Sequence, residues 1–337
     1  MLHPRVKGAY YQIGFSEGSL LHKMGFRVPT PSRERADFGR DCEYEVSRIF
    51  PEIIDEMRGF GDACQVAYED VLALVLGYGA FGSESVACSI FAVANDSGVV
   101  FGRNYDFYYK FREQSMAHLT CPDGNYASVG DSAISTGREG GVNERGLAIA
   151  VSAVEEKTVK AGVNFAVAVR YVLDKCGNVK EAVRALSEMP HSTAMNFLLA
   201  DKEGNLAVAE AAAGKVRIRE PDQGNGFIVC TNHFLHRDML EMENRRKRDW
   251  DSEVRYRAIY GTLKSHRGEI DVAGAQAILS DHSGYVCFHD REKGLGTLWS
   301  VVAELTQLKI YRAEGHPCRN KYKEDFRLNR AIGLREG

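Results

Sequence analysis

The 337-residue sequence has no uninterrupted apolar run of the roughly 18 residues that a membrane-spanning helix requires. It also has no excess of basic residues: 43 Lys and Arg stand against 46 Asp and Glu, a formal net charge of −3. Proteins that bind nucleic acid through its phosphates are usually basic. None of the eight cysteines forms a Cys-x-x-Cys pair, which excludes a zinc ribbon and a thioredoxin-type redox pair. We therefore expect neither a membrane nor a nucleic acid as partner.

The first residues, 1–5, lack the apolar stretch of a secretory signal. We expect a cytoplasmic protein whose cysteines are mostly reduced, because disulfides are rare in that compartment. The composition, 44% hydrophobic and 26% charged, is typical of a globular chain. The length suits one large domain or two ordinary ones.

The pattern of apolar residues changes at Cys88. Before it, three- and four-residue spacing predicts helices over 35–50, 51–60 and 69–78. After it, β-forming runs dominate and two pairs of helices interrupt them. The predicted strands are 89–95, 99–103, 146–154, 196–201, 206–210, 215–219, 227–231, 297–304 and 308–311, and the helix pairs are 162–175 with 178–188 and 251–265 with 271–280. Strands joined mainly by turns favour antiparallel sheets covered by helices over alternating βαβ units.

The residues that carry the clearest chemical signal surround the first hairpin. Cys88 opens this hairpin, and Arg103 and Asp106 follow from its second strand, so they return beside the start of the first. A guanidinium near a thiol lowers the thiol pKa and favours the thiolate nucleophile, and a carboxylate can hold an amine. Taken alone, these residues are better explained by a buried cysteine with a structural Arg–Asp pair.

No histidine lies near Cys88 in the sequence to act as its base. Cleavage of the Ala87–Cys88 peptide bond would supply one, because the freed α-amino group has an ordinary pKa of about 7.7–8.0, suited to proton transfer near neutrality. Residues 1–87 would then be a propeptide.

The hairpin sequence, Cys88-Ser followed by Gly102-Arg-Asn-Tyr-Asp-Phe107, resembles the signature of the N-terminal-nucleophile linear amide C–N hydrolases. It is most similar to their acyl-CoA:6-aminopenicillanate acyltransferase branch, to which the choloylglycine hydrolases and penicillin V acylases are related. Five further segments resemble motifs of that branch in the same order along the chain: 56–63, 141–147, 196–204, 231–233 and 315–318. Each motif is short and weak by itself, but six in the right order are a specific signal.

The resemblance implies an α+β fold, the four-layer αββα sandwich of the N-terminal-nucleophile hydrolases. Residues 1–87 would form a helical propeptide or α-chain segment and residues 88–337 the catalytic segment, both in one folded unit. Cys88 would be the nucleophile, both for self-cleavage by an N-to-S acyl shift and for acyl transfer, with its freed amino group as general base.

Three other residues receive roles from the same resemblance. Asp106 would hold the amino group, Arg103 would contact the thiol and the substrate, and Asn232 would donate its side-chain amide to the tetrahedral oxyanion. Further candidates for contacting the substrate or supporting the site are Tyr105, Asn143, Asn196 and Arg291.

Two departures from the related families affect this interpretation. An arginine that the family often places in a late Cys-Arg-His triplet is replaced by Phe288, although Arg291 is close enough in sequence to substitute. Ser152 and Ala153 stand where the bile salt hydrolases keep an asparagine. Both departures argue against a bile salt hydrolase and for an unusual substrate.

The expected function is attack on a linear amide bond of a small N-acylated substrate through a cysteinyl acyl-enzyme, as hydrolase or acyltransferase. No cofactor is expected, although acyl-CoA would be a co-substrate of the transferase. The expected state is a self-cleaved α/β heterodimer, alone or as a homo-oligomer.

The alternatives to this function are a non-enzymatic binding scaffold of the same fold and, less favoured, a metal-dependent hydrolase. No His-Glu-x-x-His motif accompanies His233, His236, His282 and His289, so no metal site is expected.

Overall fold

The computed structural model describes residues 1–81, 87–133, 136–244, 251–290 and 292–336. The helices of these residues are α1 (Tyr10–Lys23), α2 (Arg33–Ile49), α3 (Pro51–Cys64), α4 (Tyr68–Leu76), α5 (Phe165–Lys175), α6 (Val179–Glu188), α7 (Ser252–Ser265), α8 (Val272–Leu279) and α9 (Arg327–Glu336).

One sheet has eight strands in the order β1-β4-β5-β6-β7-β8-β9-β10. Its strands are β1 (Arg5–Gly8), β4 (Met116–Pro122), β5 (Ser128–Ser132), β6 (Gly140–Asn143), β7 (Leu147–Ala153), β8 (Met195–Asp201), β9 (Leu206–Ala212) and β10 (Lys215–Arg219). Only its β1–β4 pair is parallel.

The other sheet has seven strands, ordered β11-β2-β3-β13-β14-β15 with β12 paired to β13. Its strands are β2 (Ala87–Asn95), β3 (Gly98–Tyr108), β11 (Phe227–Cys230), β12 (His289–Asp290), β13 (Leu295–Glu304), β14 (Lys309–Glu314) and β15 (Lys323–Glu324). Neighbouring strands of this sheet are antiparallel throughout.

Alternating side chains along the strands create the layers, because successive residues of a strand face opposite sides of the sheet. In β7, Ile149 packs among α1–α6, whereas its neighbours Ala148 and Ala150 pack between the two sheets. In β2, Ile90 faces the space between the sheets and Phe91 packs against α7 and α8. The result is a four-layer αββα sandwich, and the expected α+β fold class is confirmed.

The N-terminal segment is built into this sandwich. Helices α1 and α3 cross so closely that a Cβ on Gly14 would lie 1.8 Å from the carbonyl oxygen of Glu56, and a Cβ on Gly59 would lie 2.1 Å from that of Tyr11. Buried acids of these helices pair with bases that follow Cys88 in the sequence: Glu56 with Arg170 at 2.9 Å, and Glu17 with Arg138 at 3.2 Å and with His118 at 2.8 Å.

Most predicted elements are present with ends shifted by a few residues. The long hairpin is β2–β3, and the helix pairs are α5–α6 and α7–α8. The sequence analysis did not predict β1, β4, β5, β6, β12 or β15, and it gave no bounds for α1 or α9. Of these strands, β5 and β6 are short and rich in glycine or polar residues. Among the described residues, no helix combines the length and the apolar character needed to cross a bilayer.

Candidate active site

The register of the β2–β3 hairpin determines which residues lie beside Cys88. Cys88 is paired with Tyr105, and Ala87 is paired with Asp106, so the Ala87–Cys88 peptide bond lies beside the Asp106 backbone. Arg103 lies two residues before Tyr105 and therefore shares its face, the one between the sheets. All five residues are buried.

Arg103 is fixed next to the thiol by the opposite sheet. Its Nη1 donates to the carbonyl oxygen of Glu139 at 2.7 Å and its Nη2 to that of Val151 at 3.3 Å. The same Nη2 lies 3.6 Å from Cys88 Sγ, and the Trp299 ring covers the guanidinium at 4.9 Å. The arginine–thiol contact expected from the sequence is therefore present.

The expected lowering of the Cys88 pKa is wrong as a net effect. Burial raises the pKa of the thiol above its ordinary value, and the Arg103 charge and hydrogen bond offset this only in part. The physical reason is that complete burial removes water from the thiolate, which penalises the charged form. The thiol is consequently neutral in the uncut chain, and its use as a nucleophile requires a base.

Asn232 contacts the backbone of Cys88. Its Oδ1 accepts hydrogen bonds from Cys88 N and from Arg255 Nη2, both at 2.9 Å, and its Nδ2 donates to the carbonyl oxygen of Ala153 at 2.9 Å. Both partners of Oδ1 are obligate donors, which fixes the orientation of the amide.

The segment that carries Asn232 is held by β7 and β8. Asn196 Nδ2 donates to the carbonyl oxygens of Thr231 and His233, at 2.8 and 3.0 Å, on either side of Asn232. Ser152 Oγ also donates to the Thr231 carbonyl oxygen. Asn196 and Ser152 are directly paired across the two strands. Asn196 thus holds the backbone on both sides of Asn232.

Arg255 is a site residue that the sequence analysis missed. It is 1% exposed and its Nη1 donates to the carbonyl oxygen of Cys88 at 2.5 Å and to Ser89 Oγ at 3.1 Å. A signal existed: the buried face of α7 is Ser252, Arg255, Ile259 and Leu263, and an arginine in such an apolar stripe is unusual unless it has buried partners.

Asp106 lies near enough to Arg255 and Arg103 for their charges to act on its carboxylate. Its Oδ1 accepts a hydrogen bond from Thr297 Oγ1, whereas its buried Oδ2 has no hydrogen-bond partner in the described part of the chain. Burial raises the Asp106 pKa and the charges of Arg255 and Arg103 lower it, and the net result is a pKa of about 6. A buried carboxylate oxygen without a donor is costly and marks a place where a further donor fits.

Two more groups that the sequence analysis did not predict border the site. Glu139 Oε1 accepts a hydrogen bond from the Tyr78 hydroxyl at 2.8 Å, and burial raises the Glu139 pKa. Burial and the charge of Glu139 raise the Tyr78 pKa, and a charge on Cys88 raises it further. The segment before Cys88 therefore contributes a side chain to the site.

Of the three remaining candidates from the sequence, only Tyr105 is placed beside Arg103 in the described residues. Tyr105 stacks on Trp299, with ring centroids 4.9 Å apart, beside Arg103. Asn143 lies apart: its Nδ2 donates to the carbonyl oxygens of Leu173 and Cys176 and its Oδ1 accepts from the turn after β6, so it joins α5 to the sheet. Arg291 lies outside the described residues.

The histidines considered as metal ligands divide into two groups. His233 is hydrogen-bonded to Ser252 at 2.7 Å and His236 accepts from Asp238 N at 3.2 Å, so both take part in local hydrogen bonds. His282 and His289 lie together, with ring centroids 4.8 Å apart.

Comparison with solved structures gives distant likenesses. Penicillin V acylase from Agrobacterium tumefaciens has 18% identity and a TM-score of 0.46, over 67% of this chain and 82% of that one. The Caenorhabditis elegans orthologue of N-acylethanolamine-hydrolyzing acid amidase has 17% identity and a TM-score of 0.49, over 65% and 93%. A variant of conjugated bile acid hydrolase from Clostridium perfringens has 16% identity and a TM-score of 0.48, over 71% and 96%.

No curated protein matches the chain. One family model does match, over residues 93–319, about two thirds of the sequence, and it is described as acyl-coenzyme A:6-aminopenicillanic acid acyl-transferase. This confirms the family expected from the motifs around the first hairpin. The chain belongs to the acyl-coenzyme A:6-aminopenicillanic acid acyl-transferase family.

Proposed function

We propose that this chain is a self-processing enzyme in which Cys88, once it is N-terminal, attacks a linear amide of a small N-acylated substrate. The observation that carries the proposal is that three side chains contact Cys88. Arg103 reaches the Cys88 thiol at 3.6 Å, Asn232 the Cys88 nitrogen at 2.9 Å and Arg255 the Cys88 carbonyl oxygen at 2.5 Å.

Self-cleavage begins with attack of Cys88 Sγ on the carbonyl carbon of Ala87. The C–N bond to Cys88 breaks and a thioester to Ala87 forms, while the proton of the Cys88 thiol passes to the departing nitrogen, which leaves as an amine. Water then hydrolyses the thioester, which releases the Ala87 carboxylate and returns the thiol. The products are residues 1–87 and a catalytic segment, residues 88–337, that begins with a free amine.

The freed amine supplies the base that the buried thiol needs. Asp106 Oδ2, without a hydrogen-bond donor in the described uncut chain and next to the Ala87–Cys88 bond, suits an ammonium group. In acyl transfer the amine takes the thiol proton, Cys88 Sγ bonds to the substrate carbonyl carbon, and the proton passes to the leaving amine. Asn232 donates its side-chain amide to the oxyanion, a contribution of about 2.7–4 kcal/mol in comparable sites.

The cysteinyl thioester then reacts with water or with an acceptor amine. The first outcome makes the protein a hydrolase and the second an acyltransferase, with acyl-CoA as a co-substrate that can load the thiol. Membership of a family named for acyl transfer supports both, because the two reactions share the acyl-enzyme. The Tyr78 contact and the buried acid–base pairs favour retention of residues 1–87 as one half of a heterodimer, alone or in a homo-oligomer.

The test is the intact mass of the purified protein under denaturing conditions. We expect two pieces of 87 and 250 residues from the native sequence, an uncut Cys88→Ala variant, and normal cleavage of Cys42→Ala, which removes another buried cysteine. An uncut native protein, or a cut Cys88→Ala variant, contradicts the proposal. The first of these results would favour a non-enzymatic scaffold of the same fold.

A further inference from the structure

A second group of chemically active side chains lies outside the Cys88 site. His282 and His289 belong to the segment between α8 and β13, and Cys318 belongs to the segment after β14. One ligand atom from each lies within 4.8 Å of the others. His282 is exposed and the other two are partly buried, so the group is open to solvent.

The spacing of these atoms suits a tetrahedral ion. Cys318 Sγ is 3.8 Å from His289 Nε2, and a tetrahedral zinc ion with its usual bond lengths places sulfur and nitrogen about 3.6 Å apart. A thiol–imidazole hydrogen bond would also explain this one distance. It does not explain the second imidazole, whose ring stands at 81° to that of His289 with centroids 4.8 Å apart.

The donor types narrow the choice of ion. One thiolate and two imidazoles suit zinc and similar transition metals, whereas calcium and magnesium prefer oxygen ligands. The neighbouring carboxylates have hydrogen-bond partners of their own. Asp281 accepts from Ser283 N at 3.0 Å and from Ser283 Oγ at 2.6 Å, and Asp290 accepts from Lys293 N at 3.0 Å.

Backbone hydrogen bonds hold the two segments in position without a metal. Cys287 N donates to the carbonyl oxygen of Asp281 at 2.7 Å and closes the loop that carries His282. His289 is paired with Gly296 of β13. Gly315 N donates to the carbonyl oxygen of Leu298, also in β13, at 2.9 Å. Both segments are thus anchored to one strand, and an ion would meet ligands that are already assembled.

We propose that His282, His289 and Cys318 bind one zinc-type divalent cation and that the ion links these two segments beside the active site. Binding forms a sulfur–metal bond and two nitrogen–metal bonds. The thiol proton of Cys318 is released to solvent, and a water molecule completes the tetrahedron. The proposal departs from the expectation of a metal-free protein and does not depend on the chemistry of Cys88.

The site lies next to the candidate active site through β13. Thr297, which donates to Asp106, directly follows Gly296, and its backbone N–H also donates to the carbonyl oxygen of Phe288 at 2.7 Å. Phe288 directly precedes His289. A bound ion therefore stiffens the segment that holds the Asp106 carboxylate.

Cobalt binding to the chelator-treated full-length Cys88→Ala protein tests this site, because tetrahedral cobalt bound to a thiolate has a sulfur-to-metal charge-transfer band and intense visible bands. We expect one equivalent of Co²⁺ to produce these bands and Zn²⁺ to abolish them by displacement. Removing the sulfur, as in Cys318→Ser, eliminates the charge-transfer band. His282 is exposed, so His282→Ala carries little risk to folding. We expect this variant to bind cobalt about 100-fold more weakly or worse, because loss of a residue that only orients a metal ligand already costs 10–100-fold in affinity.

Matched variants separate this site from other thiols and imidazoles. Cys121→Ser and His236→Ala, made in the same background, keep the cobalt spectrum. Zinc raises the melting temperature of the Cys88→Ala protein but not that of His282→Ala, because binding to the folded state alone stabilises it. The proposal is overturned if no charge-transfer band forms, if the band persists in Cys318→Ser, or if His282→Ala binds cobalt as tightly as its parent.

Discussion

Arg255 and Cys88 are joined by a 2.5 Å hydrogen bond from Nη1 to a backbone carbonyl oxygen, although 167 positions separate them in the sequence. The same guanidinium donates to Asn232 Oδ1 from Nη2. A single buried side chain on α7 thus holds both the backbone of the proposed nucleophile and the proposed oxyanion donor. The resemblance to the family implies a late arginine where this chain has Phe288, whereas Arg255 brings a guanidinium to Cys88 from α7.

Replacement of Arg255 by leucine is expected to slow self-cleavage by about 10²-fold, a typical effect of disturbing an oxyanion site. Arg255→Lys should restore only part of the rate, because lysine keeps the charge but not the planar fork of donors. The rate is measured by mass spectrometry on freshly refolded chain. Arg257→Leu, on the exposed face of the same helix, is the control. Equal rates for Arg255→Leu and this control would remove Arg255 from the site.

Asn196→Ala should impair self-cleavage indirectly. Without Asn196 Nδ2, the carbonyl oxygens on either side of Asn232 lose a donor, and misplacement of a catalytic group by about 1 Å costs roughly 10²-fold in rate. Asn143→Ala is the matched control, because Asn143 is also fully buried and also donates to two carbonyl oxygens, but away from Cys88.

Both asparagine variants should lose about 1–3 kcal/mol of unfolding free energy. Only Asn196→Ala should slow the cleavage of the folded fraction. If the two variants cleave at the same rate, Asn196 has no positioning role.

The buried pair between Arg170 and Glu56 should hold residues 1–87 in place. Arg170→Met leaves the carboxylates of Glu56 and Asp174, each 2.9 Å from the guanidinium, without their buried partner, and such a change typically costs 3–5 kcal/mol. Urea unfolding measures this loss. Arg58→Met removes an exposed pair with Asp55 on the same helix as Glu56 and should change stability by at most about 1 kcal/mol. Equal losses would contradict the prediction.

His191 should make the fold less stable in acid. Burial lowers the His191 pKa from 6.5 to about 4, so between these values the unfolded chain binds more protons than the folded one. The free energy of unfolding is therefore highest above pH 6.5 and decreases as the pH falls towards 4. His191 accounts for about 3 kcal/mol of this decrease. Unfolding free energies measured across this range should show a smaller acid loss for His191→Gln, whereas the exposed His266→Gln should follow the native curve. Coinciding curves for all three proteins would refute this.

Much of the fold could be predicted from the sequence because its signals are local. The apolar periodicity of α2 and α3, the turn between β2 and β3 and the helix pairs are each contained in a few consecutive residues. The motifs around Cys88, Arg103, Asp106 and Asn232 were equally readable, and they indicated the family. Strands such as β5 and β6 were not, because glycine and polar residues give them little β signal and only pairing across the sheet makes them strands.

Tertiary structure alone decided how these residues act on one another. The sequence placed an arginine near a thiol, but the net direction of the Cys88 pKa depends on how completely the sandwich excludes water from that thiol. The roles of Arg255 and Asn196 and the grouping of His282, His289 and Cys318 likewise arise from contacts between distant segments. A chemical pattern along the chain identifies the groups that can react, whereas their energies depend on burial and on partners that only the folded chain provides.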